Sequence, residues 1–174
     1  MSEKTSTRQE AENDFKKHLS GVALKNALDF DAFMRASGML PEKGWQDAYH
    51  YKYQNDLVCI LAFPPFWDVT SWNIYFFPQI SIYGGDWGDI PVDEGLKEFV
   101  WAHVNKCKVA VGEKCGCDYQ PGKQIQVFGK QFDSTCMHIL KFVNPDADAV
   151  GSICEYVRLM KFCIDNEFKG GQAT

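Results

Sequence analysis

Four of the seven cysteines and two of the four histidines fall within one stretch, WAHVNKCKVAVGEKCGCDYQPGKQIQVFGKQFDSTCMHILKF, from Trp101 to Phe142. The cysteines are Cys107, Cys115, Cys117 and Cys136, spaced C-x7-C-x-C-x18-C. Thiolates are soft donors that suit a tetrahedral zinc ion, which needs four sulfur or nitrogen ligands. Strong zinc signatures use paired C-x2-C knuckles, and this chain has none. Cys115-Gly116-Cys117 is tighter than a knuckle, although its glycine permits unusual turns. A zinc site drawn from these four cysteines, with His103 or His138 as substitutes, is the first expectation.

The same loop admits a second chemistry. Cys115 and Cys117 can form a redox pair, with Lys114 and Lys123 nearby to favour thiolate. A disulfide across a single residue closes a small, strained ring and would be labile. Reduced, inert thiols are the plain alternative, and Cys59, Cys154 and Cys163 read as small core residues. His103 falls one helical turn before Cys107, a spacing that can clamp a metal, but a lone histidine on an apolar stripe is more often a satisfied core histidine. The glycines of GKQIQVFGK do not make a phosphate loop, because six residues separate them and no Ser or Thr follows the lysine.

A third chemistry is ligand binding among aromatics. Tyr, Phe and Trp reach 14% and concentrate between Trp45 and Trp101, where PPFWDVTSWNIYFF is followed by Tyr83 and Trp87. A pocket needs apolar walls and a few polar groups. The candidate ligand-binding residues are Trp67, Asp68, Asn73, Tyr75, Tyr83 and Trp87. No nucleophile elbow, Ser-His-Asp order or paired carboxylates stand out, so no catalytic mechanism is named.

The net charge of −5 argues against a nucleic-acid binder, which needs a basic footprint. Between Lys97 and Lys141, however, seven lysines face four acids, a local excess that can lower thiol pKa values or attract an anion. The polar opening MSEKTSTRQEAENDFKK predicts no secretory leader, and no apolar run approaches the roughly 20 residues that cross a bilayer. A cytoplasmic protein with no membrane partner is expected, and in a reducing compartment its cysteines read as thiols or metal ligands.

These residues must be positioned by the elements around them. At 174 residues the chain predicts one domain, with 1–7 and 168–174 disordered. Helices are expected over 8–19 and from the cap Ser20 to the terminator Gly38, with Asp31 at the margin of the apolar stripe. Strands are expected at Trp45–Tyr53, Leu57–Phe63 and Thr70–Phe77, with Asn55-Asp56 as the first turn and a short strand over Ile80–Tyr83. A helix capped by Asp93 runs to Cys107 on the stripe Leu96, Phe99, Val100, His103, Val104, Cys107. After a loop come strands Gln124–Phe128 and Cys136–Phe142, joined by GKQFDST. Asn144 (cap) and Pro145 (first turn) open a last helix with the stripe Val150, Ile153, Val157, Met160, Ile164. The order α-α-β-β-β-(β)-α-loop-β-β-α predicts an α+β fold: an antiparallel sheet of five to six strands with helices mainly on one face.

The motifs PGK-x-I-x-V-FGK-x-F (Pro121–Phe132), Cys136 four residues later and F-x-NPDADAV (Phe142–Val150) resemble a family of small, uncharacterised bacterial proteins. The likeness spans roughly residues 20 to 165. It implies a recurrent cysteine- and glycine-rich loop before PGK and carries no activity. The strand order is also similar to that of YdhG-like domains of unknown function, which bears on fold alone. Together these readings predict a small α+β binding module with a cysteine-rich zinc site. A module for a small apolar or aromatic molecule and a thiol-redox protein are the alternatives.

Overall fold

Tyr49, Tyr51 and Tyr53 alternate along one strand, so their rings share one face of it. Each hydroxyl meets a carboxylate from a different helix: Tyr49 donates to Asp14 at 2.7 Å, Tyr51 to Asp31 at 2.7 Å and Tyr53 to Asp165 at 2.6 Å. That face of the sheet is therefore the one the helices cover. The computed structural model describes residues 8–44, 48–64, 71–77, 92–107 and 123–166.

In chain order the elements are α1 (Arg8–His18), α2 (Gly21–Ala36), β1 (Pro41–Lys43), β2 (Tyr49–Tyr53), β3 (Asp56–Ala62) and β4 (Asn73–Phe76). They are followed by α3 (Glu94–Ala102), β5 (Val104–Lys106), β6 (Lys123–Val127), β7 (Lys130–Val143) and α4 (Ala147–Asp165). The fold is α+β, and every strand pairing is antiparallel. The sheet runs β1-β2-β3-β4-β7-β5, with β6 also on β7. Among the described residues its seven strands exceed the five to six expected, and the order departs from the prediction at β1 and β5. Pro41–Lys43 folds back on β2 as a separate strand, closed by a Gly44 N–H to Ala48 carbonyl bond of 2.8 Å. The strand expected from Trp45 accordingly starts at Tyr49, and Trp45 itself lies outside the described residues, as does Ile80–Tyr83. The helix expected to reach Cys107 stops at Ala102, because β-branched Val104 pairs with Leu140 instead. No described helix is long and apolar enough to cross a membrane.

Turn chemistry sets the registers. Tyr53 pairs with Asp56, so Gln54 and Asn55, both at positive φ, are the two loop residues of the β2–β3 hairpin. In the β6–β7 hairpin Val127 pairs with Lys130, leaving Phe128 and Gly129 at positive φ. The segment GKQFDST is therefore turn and strand rather than a loop, and β7 begins six residues before Cys136. Gly129→Ala should cost about 1–2 kcal/mol, since a Cβ there meets no neighbour and only the left-handed backbone resists it. Gly151→Ala, in the helical stretch of α4 with equally open space, should instead add about 0.5–1 kcal/mol. Urea midpoints at constant slope check both signs.

The helix caps are partly as read. Asp93 accepts the Leu96 N–H at 3.2 Å, and Gly38 ends α2 at φ +83°. Ser20 occupies the N-cap of α2 without a side-chain bond. The cap of α4 is Asp146, which accepts the Ala149 N–H at 2.9 Å, rather than Asn144. Asn144 is instead held at positive φ by donating its N–H to the Trp72 carbonyl at 2.8 Å, and this fastens the turn to β4. Asp31 is not at the stripe's margin. It is 3% exposed, beneath the Tyr51 hydroxyl and beside Arg35.

One large cluster of buried apolar residues gathers all four helices and the sheet face carrying Tyr51, Leu61, Ile74, Phe76 and Phe142. Phe76 stands edge-on to both Phe142 and Tyr156, at 5.9 and 5.1 Å between ring centres. A second, smaller cluster consists of Ala48, Ile60, Ala62, Tyr75 and Phe77 on the opposite face, with no helical residue among them.

Candidate functional site

Regular alternation would send Cys136, His138, Leu140 and Phe142 all to the helix face. Leu140 and Phe142 obey it and join the main core. Between them and Thr135 the register breaks: Val104 pairs with Leu140 and Lys106 with Thr135, so β7 spends five residues against two on β5. Ile139 and Leu140 consequently both enter the main core, as consecutive residues do at a bulge. His138 is turned to the other face, where its ring lies 5.1 Å from Tyr75 and 4.5 Å from Phe77. Cys136, two residues earlier, follows it, and its Sγ is 3.9 Å from His138 Nδ1.

The bulge thus assembles a group that plain strand geometry would not: Cys136, His138, Tyr75, Phe77 and Asn73. His138 is 5% exposed. Burial, and then the charge of Lys141, push its imidazole down to about 4, so it is neutral at ordinary pH. Asn73 donates from Nδ2 to the Tyr75 hydroxyl oxygen at 3.1 Å. The Tyr75 hydroxyl is raised above its ordinary value by burial, partly offset by the Asn73 bond, with the nearby Cys136 adding to the rise. Lys141 extends its ammonium over the Tyr75 ring, 5.8 Å from the centre.

The other expected ligands divide clearly. Cys107 directly follows β5, and its N–H donates to the Ser134 carbonyl of β7 at 2.7 Å. This puts it beside the strand that bears Cys136. It is buried, and the helical His103–Cys107 clamp does not exist: the two residues lie on either side of β5, not one turn apart on a helix. His103 is half-buried and is bonded and packed within the fold rather than aimed at a metal site. A carbonyl can only accept, so its Nδ1 carries the proton given to the Phe99 carbonyl at 2.7 Å, and the ring packs on Phe99 and Phe142 at 4.6 Å each. Trp67, Asp68, Tyr83, Trp87, Cys115 and Cys117 lie outside the described residues. Among the described residues no three His, Cys, Asp or Glu side chains converge as a metal cluster.

The remaining cysteines behave as core. Cys59, Cys154 and Cys163 are free thiols. Cys59 is pushed well above its ordinary pKa by burial, and burial lifts Cys154 and Cys163 to about 11. The FGK segment is likewise structural. Gly129 makes the turn, Lys130 lies over the Trp101 ring at 4.9 Å, and Trp101 Nε1 donates to the Val127 carbonyl at 2.7 Å. A groove of about 410 Å³ between α1 and α2, lined in part by Arg8, Lys25, Asp29 and Asp31, is remote from the cysteine face. Two of its acids are already engaged, Asp29 by Lys25 and Asp31 by Arg35.

Sequence reasoning identified Asn73, Tyr75 and Cys136 separately. What it missed was that Cys136 and His138 join the face of Asn73, Tyr75 and Phe77. The only signal available was the i, i+2 spacing of Cys136 and His138. Comparison with protein-family models, with curated proteins and with solved structures found no match to this chain.

Proposed function

We propose that this chain is a small cytoplasmic binding module that holds a zinc-class ion on the helix-free face of its sheet. Cys136 and His138 are the anchoring ligands, and the rest of the set is drawn from Cys107, Cys115 and Cys117. The observation that carries this reading is the 3.9 Å between Cys136 Sγ and His138 Nδ1. Two donors sharing a tetrahedral zinc, at Zn–S about 2.3 Å and Zn–N about 2.0 Å, stand roughly 3.5 Å apart. A small side-chain adjustment covers the difference.

A thiol-redox centre at Cys136 is the weaker reading. A reactive thiolate beside histidine is held by imidazolium, and an imidazole titrating near 4 supplies no such charge at neutral pH. A metal ion makes the opposite demand, because it binds imidazole only in the neutral form.

Elemental analysis of the full chain, purified without chelator from zinc-replete cells, tests the proposal. About one equivalent of zinc is expected, falling below about 0.2 in Cys136→Ser and in His138→Gln, while Cys163→Ser retains it. Circular dichroism establishes that the variants are folded. Wild-type protein with less than about a tenth of an equivalent, and no thiolate-to-metal absorption on adding Co2+, would reject the metal.

A further inference from the structure

We draw no further inference here: the strongest candidate, the groove of about 410 Å³ between α1 and α2 with Leu24 and Leu28 among its lining residues, carries nothing, because its acids Glu12, Asp29 and Asp31 are already engaged by Lys16, Lys25 and Arg35 and nothing in the structure shows what covers it.

Discussion

Asp31→Ala should destabilise the protein by about 3–5 kcal/mol, the largest effect expected of a polar substitution among the described residues. Asp31 is a carboxylate under the helix layer. One oxygen accepts the Tyr51 hydroxyl at 2.7 Å and the other the Arg35 Nε–H at 2.8 Å. Burial first, then the negative charge of Asp31, hold the Tyr51 hydroxyl well above its ordinary pKa, so it remains a donor at every accessible pH. Removing the carboxylate takes from a fully buried hydroxyl and a mostly buried guanidinium the acceptor that both face. Replacing all the partners is a different matter: Asp31→Leu with Tyr51→Phe and Arg35→Met should recover most of the loss, because desolvation of the charges then disappears along with their attraction. Urea denaturation of the single and triple variants measures both. A single-variant loss under about 1 kcal/mol would show that water reaches the carboxylate and that this helix–sheet tie is dispensable.

Phe76→Ala should cost about 3–5 kcal/mol. The ring is fully buried and stands edge-on to Phe142 of β7 and Tyr156 of α4. Its deletion removes the apolar transfer energy and leaves a cavity at the meeting point of β4, β7 and α4. The consequence reaches the candidate site through the backbone. Phe76 pairs with Leu140, and this register places Tyr75 beside Lys141 and brings Phe77 to His138. Zinc occupancy should therefore fall in Phe76→Ala, whereas Phe76→Leu, with a smaller cavity, should lose about 1–2 kcal/mol and keep it. Chemical denaturation gives the first quantity, and elemental analysis the second. Stability lost without any change at the site would mean that the β4–β7 register does not depend on this ring.

The tyrosine ladder was legible because a period of two needs only the sequence: Tyr49, Tyr51 and Tyr53 must share a face wherever the strand lies. The same holds for Trp72, Ile74 and Phe76 against Asn73, Tyr75 and Phe77. Turns were read to within a residue or two, since Asn55 and Gly129 announce positive φ but not which neighbour shares it. Gln54 and Phe128 took those places without being residues that favour them, and the strand registers made the choice. Asp31 was misjudged for a related reason. A carboxylate on an apolar stripe looks marginal until its partners are known, and Tyr51 and Arg35 become partners only when α2 is laid on β2.

The sequence by itself determined an α+β protein with an antiparallel sheet, the alternating faces of β2 and β4, the burial of β3 on both faces, and the inner stripe of α4. Local periodicity carries all of these, and it survives any tertiary arrangement. It also singled out Cys136 among residues able to bind a metal. The tertiary structure alone decided which of those residues meet. A short helix that ends at Ala102 puts β5 between His103 and Cys107, so His103 packs on Phe99 and Phe142 while Cys107 lies beside β7. A bulge in β7 between Thr135 and Leu140 reverses the alternation and turns Cys136 and His138 away from the helices, toward Tyr75 and Phe77. A bulge leaves no mark on residue spacing. It arises from how β7 must satisfy β4 and β6 along one edge and β5 along the other, a constraint between strands distant in sequence.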